Sequence, residues 1–193
     1  LTSYEAWQTP LGLMMVNCEI TKELYGKYNA QYFDEALSDE HSIEVEVPII
    51  QSIFNDVQII PVLIGEQNSD LIAKIINDYY PDENNGFIIS SDLSHFLNDE
   101  TAKKIDEATA DMIEAGNIEN FDSRMACGIR GIIGLMKFAN QKNYSLIRID
   151  MQNSSKISHD KSRVVGYGCW FLYEGEKNQF IKKYYSKYVI ELQ

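Results

Sequence analysis

Gly86-Phe87-Ile88-Ile89-Ser90-Ser91-Asp92-Leu93-Ser94-His95-Phe96 is a short apolar run that passes directly into hydroxyls, a carboxylate and an imidazole. An apolar run of this length, opened by a glycine, reads as a buried strand at 86–91. The polar residues after it are as informative as the strand itself. In open α/β sheets, ligands bind beyond the carboxyl ends of the strands. Asp92 and His95 at such a place can serve as general acid and base, because imidazole titrates near neutrality. The plainer alternative is a capped turn, with Asp92 and Ser94 capping a following helix and His95 an ordinary polar residue.

On either side, helical and strand periodicities alternate. Upstream, VQIIPVLI at 57–64 ends at Gly65 and reads as a second buried strand. Ser69–Tyr80 has Leu71, Ile72, Ile75 and Ile76 on one face and reads as a helix. Downstream, 101–115 and 127–140 read as helices, and 144–151 and 163–173 as closing strands. Nearer the start, residues 1–13 read as an irregular segment with a Thr9-Pro10 turn, 14–17 as a short strand and 18–28 as a helix. Between 39 and 54 the Glu44-Val45-Glu46-Val47 alternation suggests a strand. The spacing of Ile43, Val47, Ile50 and Phe54 favours a helix, kinked or started near Pro48. Residues 174–193, rich in tyrosine and lysine, read as a helical or frayed tail. The order predicts an α/β fold, a central sheet flanked by helices, in one domain over 1–193.

Composition narrows the function. The chain has 193 residues, 45% hydrophobic, enough for a sizeable core. Its 29 acidic and 17 basic residues give a net charge of −12 with no basic cluster, so nucleic acid and anionic membranes are not expected partners. No apolar run approaches the roughly 20 residues that span a bilayer. The opening LTSYEAWQTPLG has neither a charged n-region nor an apolar h-region, so no signal peptide is expected there. Three widely spaced cysteines, Cys18, Cys127 and Cys169, fit a reducing cytoplasm rather than a disulfide framework.

Two further candidates carry chemistry. In Met125-Ala126-Cys127-Gly128-Ile129-Arg130-Gly131, Cys127 lies at the expected start of a helix. Free N–H groups and the helix dipole there would stabilise a thiolate, which is a soft metal ligand or a nucleophile. Alternatively Cys127 is a buried structural cysteine, and Gly128, Gly131 and Gly134 allow close helix packing. In Glu40-His41-Ser42-Ile43-Glu44, His41 and Glu44 share a helical face and could line a site. The same residues could equally form a helix N-terminus capped by Ser38 or Asp39. His159 falls in a polar loop and reads as solvent-exposed. Cys18 and Cys169 have no partner at metal-ligand spacing.

Six segments in order carry a family resemblance: TSYEAWQTPLG at 2–12, EHSIEVEVPIIQ at 40–51, IIPVLIG at 59–65, ISSDLSHF at 89–96, MACGIRGI at 125–132 and SRVVGYG at 162–168. Together they resemble the Memo family, also called AmmeMemoRadiSam system protein B, over the chain up to about residue 174. The resemblance implies a fold similar to the class III extradiol dioxygenases, which hold ferrous iron with two His and a carboxylate and use another His as acid/base. In Memo-like proteins a Cys stands where the carboxylate ligand would be, and Cys127 matches it. His95, beside Asp92, matches the acid/base His. His41 and Glu44 match the family's pocket-lining HSIE element. The family's two ligand histidines lie upstream of the first residue here. The metal site is therefore expected to be incomplete in this chain, and upstream residues are expected to exist.

The resemblance implies a metal-binding redox protein using Fe(II) or Cu(I), of unknown substrate. The alternative is a non-catalytic adaptor that takes a peptide or small metabolite in the same pocket, since fold does not set function. A thiol enzyme using Cys127 with His95 is a third reading.

Overall fold

The computed structural model describes residues 1–65 and 68–180. The chain divides into two compact units, Leu1–Gly65 and Glu66–Gln193.

The first unit opens with an antiparallel hairpin, β1 (Ala6–Thr9) and β2 (Gly12–Met15), so the segment expected to be irregular is half of a ladder. Its turn is Pro10-Leu11, one residue on from the expected Thr9-Pro10, and Gly12 closes it at φ 118°, where a side chain would be strained. Met14 points inward and is buried, while Leu13 and Met15 are exposed, the alternation a one-faced sheet requires. Helix α1 (Cys18–Tyr28) starts at Asn17, whose side chain accepts from Ile20 N–H, and ends at Asn29 in the left-handed region.

The helix expected over 39–54 is broken. After α2 (Asp34–Ser38), α3 spans His41–Glu44 and α4 spans Val47–Ile53. Pro48 sits in the first turn of α4, where its missing N–H costs nothing; the same residue cannot continue a helix from α3. The strand expected at 57–64 does not form a ladder either. Only Ile59 bridges, in parallel, to Val16. Nor is the run buried as its apolarity suggests, since Pro61 alone of residues 57–64 is buried and Val57 is exposed. Among the described residues none pairs with the rest of the run in a ladder, and Pro61 has no N–H to offer.

The second unit contains α5 (Ser69–Tyr79), β3 (His95–Leu97), α6 (Asp99–Ala115), α7 (Ile129–Lys142), β4 (Ser145–Asn153), α8 (Ser155–Ser158) and β5 (Val164–Tyr173). Strands β3, β5 and β4 form one antiparallel sheet with β5 in the middle. Helices α6 and α7 pack on it around Ile113, Met136 and Leu146, joined by Trp170, Leu172 and Leu135. Burying a side chain of this size stabilises by about 1.5–3 kcal/mol. Helix α5 packs on α7 at Gly134, where a Cβ would lie 2.6 Å from Ile72 Cβ; close helix packing does account for that glycine. The expected strand at 86–91 is absent for the same reason as 57–64: no described strand lies beside it to form a ladder. The fold class is mixed α/β, small sheets flanked by helices, with the sheet of the second unit carrying the site. Of the expected tail, residues 177–180 are helical and 181–193 lie outside the described residues.

Candidate metal centre

The segment after Gly86–Ser91 does not cap the next helix. Asn98 does that, its side chain accepting from Thr101 N–H at 3.0 Å. Instead Leu93 and Ser94 are buried and bonded to β5. Leu93 N–H donates to the Gly166 carbonyl and Gly166 N–H donates to the Ser94 carbonyl, each at 2.9 Å. His95 then opens β3 opposite Val165. A bulge comes next, and Phe96 takes a left-handed φ of 61°, uncommon for an aromatic residue. Its exposed ring is covered by the Arg163 guanidinium at 4.2 Å and meets the His95 ring edge-on at 5.5 Å.

Cys127 approaches from the loop before α7. Its N–H donates to the Asp92 carbonyl at 3.3 Å, and Asp92 N–H points back at Cys127 Sγ, also at 3.3 Å. The adjacent pair reinforces this. Gly128 N–H donates to Ser91 Oγ at 2.8 Å, and Ser91 Oγ donates to the Asp92 carbonyl at 2.8 Å. The approach requires glycine at 128, since a Cβ there would lie 2.7 Å from Ser91 Cβ and 3.0 Å from the Ser90 carbonyl oxygen. Cys127 is exposed, which sets aside the buried structural reading. Its sulfur is held by the Asp92 amide and lies one residue ahead of Gly128, which caps α7.

His95 Nε2 and Asp92 Oδ2 are 3.4 Å apart. One donor atom each from Asp92, His95 and Cys127 lies within 4.8 Å of the others. Bonds from such donors to a transition metal run about 2.0–2.3 Å, so modest side-chain movement brings all three onto one ion. A mixed nitrogen, oxygen and sulfur set is suited to first-row transition metals. The residues present therefore fit a metal ion.

Behind the trio sits Asp106 of α6, 2% exposed, with Oδ1 accepting Ser94 N–H at 3.0 Å. Burial pushes its carboxyl above the ordinary carboxylate value; the Ser94 amide and the charge of His95 oppose that rise. The Ser94 hydroxyl is fully buried and, among the described residues, has no hydrogen-bond partner. Sequence reasoning missed Asp106 and Ser91. A signal for Asp106 existed: Ala102, Thr109, Ala110 and Ile113 define a buried face of α6 at helical spacing, and Asp106 lies on it.

His41 and Glu44 lie on α3 in the first unit, whereas the trio belongs to the second; His41 is exposed and Glu44 is exposed as well. The capped-helix reading holds there with a different cap, since the Glu40 carboxylate accepts from His41 and Ser42 N–H at 2.8 and 3.0 Å. Those amides, Ser42 first, hold the Glu40 carboxyl below its ordinary value against the opposing effect of burial. His159 is exposed at the end of α8, as expected of a loop histidine. Cys169 is exposed on β5, and Cys18 opens α1, half-buried.

The family model described as Memo-like protein matches residues 1–171. The chain belongs to the Memo-like family. This Memo-like protein is 32% identical over 179 residues to a MEMO1 family protein of Thermoplasma acidophilum, covering 83% of this chain and 63% of that one. A MEMO1 family protein of Methanobrevibacter smithii is 35% identical over 182 residues, covering 83% and 62%. One from Pyrobaculum aerophilum is 32% identical over 185 residues, covering 87% and 64%. The chain thus spans under two thirds of the length of these relatives. The fold class agrees with the dioxygenase-like architecture expected of the family. Among the described residues, no helix is long and apolar enough to cross a membrane.

Proposed function

We propose that this Memo-like protein is a metal-binding redox protein that holds one iron(II) or copper(I) ion on Cys127, His95 and Asp92. The observation that carries the reading is the convergence of these three donors within 4.8 Å at an accessible place on the molecule. Such an ion supplies one-electron chemistry and, with three protein donors, coordination positions open to a small ligand. The chain's own residues do the rest. The thiolate of Cys127 selects a soft or borderline ion. The Asp92 amide holds that sulfur in place and its carboxylate balances charge. His95, whose Nε2 faces Asp92 Oδ2 at 3.4 Å, is placed to serve as a ligand or as the acid/base implied by the family resemblance. A small molecule or a short peptide would reach the ion from the exposed side of Cys127. The reducing cytoplasm is the compartment that suits an exposed thiolate and either metal ion.

Anaerobic titration of the full chain with Fe(II) and with Cu(I) tests this directly. One equivalent is expected to bind. Cys127→Ser is expected to weaken it by more than about a hundredfold, beyond what loss of an outer partner causes. Equal affinity in wild type and Cys127→Ser would overturn the assignment and leave the cluster as a polar pocket for a peptide or metabolite.

A further inference from the structure

Asp106 presents a problem that the ligands alone do not solve. It is a carboxylate at 2% exposure, and among the described residues it makes no ion pair. The hydrogen bond it accepts from Ser94 N–H at 3.0 Å could be accepted equally by the carbonyl oxygen of an asparagine at much lower desolvation cost. The fold also makes room for it. Gly166 of β5 faces it so closely that a Cβ at 166 would overlap the Asp106 carboxyl group. The anchored residue, Ser94, lies between two donors of the proposed centre, Asp92 and His95.

We infer that Asp106 is a positioning residue of the metal centre: it locks the Leu93–Ser94 turn from behind so that Asp92 and His95 converge on Cys127, and its buried negative charge favours a cation among them. This rests on the metal reading above. The lock has three parts. The Ser94 amide is tied to Asp106, the Ser94 carbonyl to Gly166 N–H, and Leu93 N–H to the Gly166 carbonyl. The turn cannot slide along β5 without breaking all of them. The charge accounts for aspartate where asparagine would satisfy the same bond.

The test is anaerobic titration with Co(II) of the full chain, read by the thiolate-to-cobalt charge-transfer band, alongside thermal unfolding. Wild type, Cys127→Ser, Asp106→Asn and Gly166→Ala are compared. Asp106→Asn keeps the acceptor and removes the charge. It is expected to melt at or above the wild-type temperature while binding Co(II) about tenfold more weakly, the range seen for outer-shell partners. Gly166→Ala keeps the charge and displaces the carboxylate, and is expected to weaken binding in the same direction. Wild-type affinity in whichever of the two variants folds overturns the inference and leaves the metal reading standing. So does a loss of affinity in Asp106→Asn that only tracks a fall in melting temperature, which is what a purely structural role would give. Absence of a Cys127-dependent band in wild type overturns both.

Discussion

Alanine at position 128 perturbs the construction of the centre and leaves all three donors in the chain. Gly128 has φ −85°, comfortable for any L residue, so backbone strain does not enter. The added Cβ would lie 2.7 Å from Ser91 Cβ, 2.9 Å from Ser91 Oγ and 3.0 Å from the Ser90 carbonyl oxygen. Carbon atoms rest about 3.5–4.0 Å apart, so the two segments must separate by roughly 1 Å. The Ser90 carbonyl is backbone and cannot swing aside. Ser91 Oγ is tied to both Gly128 N–H and the Asp92 carbonyl. Separation therefore stretches the Gly128–Ser91 bond and the paired hydrogen bonds between Asp92 and Cys127. Overpacking of this kind costs about 1–3 kcal/mol, and a weakened hydrogen bond adds up to about 1 kcal/mol. A net loss of about 2 kcal/mol lowers the melting temperature of a chain this size by roughly 4–8 °C. A displacement of about 1 Å also loosens a metal site badly, so Co(II) affinity should fall by at least about tenfold. Calorimetry and the cobalt charge-transfer titration read the two effects. A Gly128→Ala protein with wild-type melting temperature and wild-type Co(II) affinity would refute the close approach of Ser91 to the α7 N-terminus.

Two further perturbations test the sheet on which the centre is built. Arg148 of β4 meets Glu107 at 2.9 Å, Asp111 at 3.6 Å and Glu114 on α6; Lys177 is a second partner of Glu114. Arg148→Ala strips one helix face of its main counterion and should cost about 1–2 kcal/mol, discounted because Glu107 and Asp111 are solvent-screened. Burial alone would raise the Glu114 carboxyl, but the Lys177 and Arg148 contacts outweigh it and hold it low. A lowered carboxylate contributes stability above its unfolded value that is lost as pH falls through the folded one. Arg148→Ala should therefore move the acid unfolding midpoint upward, and an unchanged midpoint in a pH series of urea melts would contradict the assigned contact. Asp99, at the start of α6, is held by Lys103 first and by Asn153 at about 2 against an ordinary 3.8. The same sign applies: its contribution is present above pH 3.8 and is lost as pH falls toward about 2. Asp99→Asn should flatten the acid limb of the stability profile over that interval, and a limb parallel to wild type would show that the carboxylate carries none of it.

How much of this was legible in the sequence depended on whether a feature was local. Helices α1, α5, α6 and α7 were readable because their periodicity and asparagine or glycine ends lie within one stretch; Asn17, Asn68 and Asn98 each cap by a bond a few residues away. The strands at 145–153 and 164–173 were readable because they are long and pair with each other. The runs at 57–64 and 86–91 were misread as buried strands: Val57 and Ile88 are exposed, and apart from the Val16–Ile59 bridge neither run pairs with a described strand, a neighbour that composition does not encode. The break at Pro48, expected as a kink or a start, is the start of α4. In the site, His95, Asp92 and Cys127 emerged from motif and resemblance, and the structure brings these three together. Asp106 escaped notice because an aspartate within the charged stretch Lys103-Lys104-Ile105-Asp106-Glu107 looks solvated until the buried face is traced through Ala102 and Ile113.

The join between Asp92 and Cys127 includes two bonds that do not use the Cys127 side chain, Cys127 N–H on the Asp92 carbonyl and Gly128 N–H on Ser91 Oγ. Those two bonds hold residue 127 in place even when its side chain is replaced. A substitution at that one position changes the hardness of the donor set without any rebuilding of the loop or of α7. Selection can therefore retune which ion the centre favours by single replacements at 127, each starting from a folded protein, so the scaffold is more durable than the chemistry it supports.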